Sequence, residues 1–293
     1  MCNPDDGDLI PSLLPVPHQL VMYVGQVLKD LLKLPRPLSP PVVKLESRAD
    51  AEYGLPSTHA MAATAISFTL LLSATSRIQF QFEAGLMGAV LLSSLVCLSR
   101  LYTGMHSLLD VLCGVALSAV LLLVTFPFWE AFDRFQLTSP AAPGVLVALP
   151  LLLSYTYPRL DHYSPTCGDT TTILGVAAGC SVGYWTAAQL GVTFEPPAEA
   201  LPVALGPLTA GALAAGAARY VVGAAVLLAT RQAVKTACLR ALFAWYRVAP
   251  REEDGARRRR EIEVPCKFVT YAVIGVVNSA LINRLFLALG IWR

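Results

Sequence analysis

The chain reads as an all-α, polytopic membrane helix bundle of about eight to nine spans. Two observations lead there. Of its 293 residues, 55% are hydrophobic and only 14% charged, where a soluble domain carries about 25% charged residues. The charges are also clustered: no Asp, Glu, Lys or Arg falls within 54–76, 84–99, 111–129, 135–158, 170–194 or 200–218. A bilayer core of ~30 Å needs roughly 20 mostly apolar residues per helix, and these runs are of that order.

The elements follow in order. Pro17 to Leu34 opens with a proline suited to a first helical turn and closes at Pro35-Arg36-Pro37, which cannot continue a helix. The polar stretch LSPPVVKLESRADAEY is then a loop. Helices are expected over about 57–76, 82–98 and 105–126, the last two joined by the turn SRLYTG, then over 145–157 and 171–190. GVTFEPPAEA is a proline-rich turn. The stretch 201–246 reads as two spans or one long helix, with two preferred, and the last span covers about 265–290. This divides the chain into a short, truncated-looking N-terminal segment (1–16), core helices (17–127), further membrane helices (128–247), a charged loop (248–264) and a C-terminal membrane helix (265–293).

The net charge of +2, with no basic run interleaved with aromatics, excludes a nucleic-acid partner. The seven cysteines show no CxxC and no metal-finger spacing. The acidic N-terminus, MCNPDDGDLI, does not have the basic start of a signal peptide.

Ionisable residues at membrane depth are costly and mark function by default. Three clusters fall on one face when helix directions alternate: Lys29, Lys33 and Arg36 at the end of the first helix; Ser57, Thr58 and His59 at the start of the second; Ser99, Arg100, His106 and Asp110 around the start of the fourth. Lys29 and Arg36 are seven apart, so they project from one side if the helix continues that far. His106 and Asp110 are four apart, within reach of each other on a helix. Ser57 and Thr58 stand where a helix N-terminus favours an anion. Cations, a helix start, two imidazoles and a carboxylate together suit a phosphate: the cations neutralise it, one histidine attacks, the other protonates the leaving oxygen. The same inventory also suits an anion transporter, or a lipid-binding protein without turnover. Lys33 is better read as a lipid-headgroup contact, and Asp161 and His162 as loop residues.

KDLLKLPRP, PSTH and SRLYTGMHSLLD fit K-x6-R-P, P-S-x-H and S-R-x5-H-x3-D patterns. In that order and spacing they resemble the three signature motifs of the type 2 phosphatidic acid phosphatase superfamily, the lipid phosphate phosphatases. The flanking residues, such as KLPRPLSPPVVKLE and AEYGLPSTHAMAATAI, resemble its sphingosine-1-phosphate phosphatase branch. The resemblance covers about residues 29–114. It implies a lipid phosphate phosphatase-like core and a metal-independent phosphomonoesterase with no cofactor, acting on a sphingoid base phosphate among membrane lipids. It implies further that His106 is the nucleophile, Asp110 orients it, His59 is the general acid and then base, and Lys29, Arg36, Arg100 and Ser57 hold the phosphate oxygens. Residence in the endoplasmic reticulum membrane, with the site facing the lumen, is implied as well. Two departures stand out: Thr58 replaces the usual glycine of the second motif, and only 28 residues precede Lys29 where relatives carry further helices.

Overall fold

The computed structural model describes residues 16–39, 41–45, 52–192, 201–204, 206–207, 209–249 and 252–291 (of Val16 and Pro17, the backbone alone). Most of the N-terminal segment 1–16, the loop residues 46–51 and most of the proline-rich turn lie outside them. The described chain is dominated by helices: α1 (Val16–Leu32), α2 (Thr58–Ala74), α3 (Phe82–Tyr102), α4 (Leu108–Thr125), α5 (Trp129–Thr138), α6 (Ala142–Thr156), α7 (Thr166–Gln189), α8 (Ala210–Trp245), α9 (Glu253–Ala256), α10 (Arg260–Val276) and α11 (Ile282–Ala288). Two short strands, β1 (Ile78–Gln79) and β2 (Val203–Ala204), pair in parallel and tie the α2–α3 turn to the segment before α8.

Local chemistry sets the boundaries that matter for the site. Helix α1 stops at Leu32 because Lys33 takes a left-handed conformation (φ 51) ahead of Pro35 and Pro37. The N-cap of α2 is Ser57, whose Oγ accepts from Ala60 N at 3.5 Å. That of α4 is Ser107, in a reciprocal capping box with Asp110. The expected start of this helix at Met105 is therefore three residues early, and His106 stands before the helix rather than in its first turn.

The motif-bearing helices α1, α2 and α4 pack around Val21, Met61 and Ala65, with Leu117 and Leu121 against them. The approach of α4 to the start of α2 is close: a Cβ on Gly114 would lie 2.8 Å from the Ser57 carbonyl oxygen. Side-chain hydrogen bonds lock the group, Ser118 Oγ donating to Met61 O (3.1 Å) and Thr64 Oγ1 bonding Ser93 Oγ of α3 (2.8 Å). A second pair, α7 and α10, meets through glycines, with Gly175 against Phe268 and Gly275 against the Cys180 backbone, as small residues allow helices to close in a membrane.

Four helical stretches among the described residues are long and apolar enough to cross a membrane: 82–102, 108–138, 210–245 and 260–288. The helices over 58–74 and 142–156 are apolar but shorter. Eight to nine spans is a finer count than length and composition support. Large apolar side chains such as Met87, Leu91, Leu95 and Leu98 on α3 are exposed, as a lipid-facing surface requires.

Two expectations are corrected in the C-terminal half. The stretch 201–246 does not form two spans; its helix is the single 36-residue α8, roughly 54 Å long at 1.5 Å per residue. Its run of alanines and glycines offers no turn that would let the chain double back. The charged stretch 248–264 is not a loop throughout, because α9 and the start of α10 lie within it. Nη2 of Arg260 donates to the carbonyls of Ser154 (3.2 Å), Tyr155 (2.5 Å) and Tyr157 (3.0 Å), closing the C-terminal end of α6, as a cation can do there.

Candidate active site

Lys29 and Arg36 do meet, though not by helical phase. After Lys33 turns the chain, residues 34–36 run beside 52–54, with Gly54 N donating to Leu34 O at 2.7 Å. A Cβ at Gly54 would lie 2.9 Å from the Pro35 carbonyl, so this pairing needs a glycine. Arg36 then points back into the protein. Its Nε donates to Glu52 O (3.0 Å) and its Nη1 to Met105 O (3.3 Å). Its Nη2 donates to Glu52 Oε2 at 3.2 Å, and Lys29 Nζ donates to the same oxygen at 2.8 Å. Lys29 is 1% exposed. Sequence reasoning passed over Glu52 as one acidic residue of a polar loop. The available signal was that a buried ammonium needs a counter-charge, but nothing local distinguishes Glu52 from Glu46 or Asp50.

His106 and Asp110 are both buried. The His106 Nδ1 to Asp110 Oδ2 distance is 3.7 Å, an ion-pair separation longer than a hydrogen bond. Oδ2 accepts instead from Ser107 N at 2.7 Å. Ser57, fully buried, joins the second motif to the third: its N donates to Asp110 O at 3.0 Å. Thr58, the departure from the usual glycine, is buried with its methyl group against Gly25 of α1, so its side chain packs between helices.

His59, in the first turn of α2, is exposed. Its positive form acts on both His106 and Glu52. Arg100 stands at the foot of the loop carrying His106, where its carbonyl accepts from Met105 N (3.3 Å) and its Nε and Nη2 donate to Ser99 Oγ (3.3 and 3.0 Å). The structure thus brings Lys29, Arg36, Ser57, His59, His106 and Asp110 together, and turns the described guanidinium bonds of Arg100 toward its own neighbour.

Electrostatics set the protonation state of the central ring. Burial, then Arg36, Lys29 and His59, push His106 down to about 3, so the imidazole is neutral at physiological pH. Burial pushes the Glu52 carboxyl up, but Lys29, Arg36 and His59 outweigh it and hold it below its ordinary range. Among the described residues, no three His, Cys, Asp or Glu side chains are grouped to hold a metal ion.

Behind Lys29, the buried Asp30 anchors α1. Its Oδ2 accepts from Tyr157 OH (2.8 Å) and Thr166 Oγ1 (2.6 Å), at α6 and α7 respectively. The sequence reading did not single out Asp30, whose partners lie more than 120 residues away. A cavity of about 420 Å³ joins Asp30 to Arg258, Arg259 and Arg260. Arg258 lies over the Tyr163 ring at 5.0 Å, and His162 meets Tyr53, next to Glu52, edge to face at 6.0 Å. The arginine run is therefore on the same side of the bundle as the site, the consequence of α8 being one helix.

A family model described as the PAP2 superfamily matches residues 19–134. Sphingosine-1-phosphate phosphatase 2 of Homo sapiens is 50% identical over 274 residues, covering 93% of this chain and 68% of that protein. Sphingosine-1-phosphate phosphatase 1 of Rattus norvegicus is 38% identical over 272 residues, 93% of this chain and 63% of the relative. Lipid phosphate phosphatase delta of Arabidopsis thaliana is 31% identical over 170 residues, 55% of this chain and 41% of that one. No solved structure matches the chain. With two converging cations, a helix start and two histidines at the motif positions, and half its residues shared with a relative along most of its length, the chain belongs to the sphingosine-1-phosphate phosphatase family of the PAP2 superfamily.

Proposed function

We propose that this chain hydrolyses the phosphate monoester of sphingosine 1-phosphate and related sphingoid bases through a phosphohistidine intermediate, without a metal ion. The observation that carries the reading is the convergence of Lys29 Nζ and Arg36 Nη2 on one oxygen beside a neutral, buried His106. A neutral ring keeps the lone pair that attack on phosphorus requires, and the two cations stabilise the charge that develops on the phosphoryl oxygens.

Because Nδ1 of His106 faces Asp110, Nε2 is the attacking atom. The P–Nε2 bond forms as the P–O bond to the sphingoid C1 oxygen breaks, and His59 donates a proton to that oxygen. Water then attacks phosphorus while His59 takes its proton, the P–Nε2 bond breaks, and inorganic phosphate leaves. Asp110 orients His106 and stabilises the charge the ring acquires. Lys29, Arg36 and Arg100 hold phosphate oxygens, Arg100 by turning from Ser99, and Ser57 supports the helix start that faces them.

We place the chain in the endoplasmic reticulum membrane as a multi-pass protein with the site lumenal, and count about eight spans. The helices α1, α2, α6 and α7 complete that number, with Gln19, Gln26, Ser67, Ser154 and Thr171 among the polar side chains they bury. The 17 residues of α2 reach about 26 Å at 1.5 Å per residue, close to a hydrocarbon core of ~30 Å.

Phosphate release from sphingosine 1-phosphate in detergent micelles with excess EDTA tests the reading. Turnover by the unaltered chain and its loss in His106→Ala are expected; turnover surviving that substitution overturns the mechanism.

A further inference from the structure

We propose that Glu52 is a positioning residue that occupies the phosphate subsite between turnovers and gives up Lys29 and Arg36 when phosphate enters. The proposal rests on the reading of this cluster as a phosphate site.

The geometry is that of a stand-in. One carboxylate oxygen, Oε2, accepts from both Lys29 Nζ and Arg36 Nη2, and so sits where a non-bridging phosphate oxygen would accept the same two bonds. The bonds that keep Arg36 in place are separate from this one, because its Nε and Nη1 are held by the backbone carbonyls of Glu52 and Met105. The carboxylate can therefore leave without releasing the guanidinium. It also has somewhere to go: the Glu52 side chain is 23% exposed, against 1% for Lys29, and it lies on a segment without helix or strand. The backbone beside it stays pinned by the Gly54–Leu34 bond.

Charge explains why such a residue is present. An ammonium as buried as Lys29 is costly without a counter-ion, so Glu52 stabilises the empty site. A phosphate monoester dianion takes over that role and cannot share the same two cations with a carboxylate at contact distance, since like charges placed together in a buried site repel strongly. Glu52 thus trades affinity for phosphate, product included, against stability of the empty protein.

The experiment compares Glu52→Gln with the unaltered full chain in detergent micelles, using inorganic phosphate and orthovanadate as probes. Inhibition constants for both are expected to fall about ten-fold, the thermal midpoint without phosphate to fall, and the upward shift produced by phosphate to grow. Equal or weaker phosphate binding by Glu52→Gln overturns the proposal. The thermal shift does not depend on turnover, so absence of turnover in the unaltered chain counts against the phosphatase reading and not against this one. Where Glu52→Gln does not survive purification, Glu52→Asp serves, since it keeps the charge but is too short to bridge both cations. It is expected to move the inhibition constants the same way by a smaller factor, and unchanged constants there overturn the proposal.

Discussion

His106 Nδ1 lies 3.7 Å from Asp110 Oδ2, and that same oxygen caps α4 by accepting from Ser107 N at 2.7 Å. One carboxylate therefore both starts the helix and faces the ring that precedes it. Asp110→Asn preserves the shape and the capping acceptor while removing the charge. Its kcat is expected to fall about a hundred-fold or more with a nearly unchanged thermal midpoint. Asp110→Ala should add a loss of about 1 kcal/mol from the missing cap. Equal kcat in Asp110→Asn and the unaltered chain would show that the carboxylate serves the helix alone.

The depressed His106 ring has a consequence for stability. Unfolded, it takes up a proton near pH 6.5; folded, it does so only at about 3. The unfolded state binds more protons between those values, so stability falls as pH drops through that window, by at most about 1.4 kcal/mol per pH unit. His106→Gln should flatten the dependence of thermal midpoint on pH between 6.5 and 5, above the range where carboxylates titrate. Parallel curves for the two proteins would refute the assignment.

Gly114 governs the distance between the second and third motifs. Since a Cβ there would press on the Ser57 carbonyl and on Met61, Gly114→Ala should push α4 from α2 and destabilise by about 1–3 kcal/mol, despite alanine's better helix propensity. Phosphate release should fall further than stability does, because His59 rides on α2 and His106 on the turn that leads directly into α4. A midpoint equal to or above that of the unaltered chain would count against this packing.

Tyr157→Phe leaves Asp30 with one donor fewer in a buried setting. A loss of about 1–3 kcal/mol is expected, read as a lower thermal midpoint. No change would mean that Thr166 alone satisfies the carboxylate.

Sidedness can be read chemically. In a cysteine-free background and sealed vesicles, single cysteines at Lys44 and Arg258 should react with an impermeant maleimide from the same side. Labelling from opposite sides would contradict a single α8 helix between α7 and the arginine run.

Much of this protein is local and was legible as such. The apolar runs announce membrane helices, and Pro35 and Pro37 announce the end of α1. The cations, imidazoles and carboxylate of Lys29, Arg36, His59, His106 and Asp110 suit a phosphate, in motifs that resemble those of the family. Even the capping box that displaces His106 from α4 is written in SLLD, where a serine precedes an acid by three residues.

Pairing across long separations was not legible. Glu52 meets Lys29 across 23 residues and Asp30 meets Tyr157 across 127. The apolar residues of 201–246 are numerous enough for one span or two, and the side that holds Arg258 follows from α8 being a single helix packed against α10. Periodicity and motif spacing report what a residue does within a few turns of its own helix. The counter-ion of a buried charge is chosen by whichever chain segment closes over it, and that is a property of the assembled bundle.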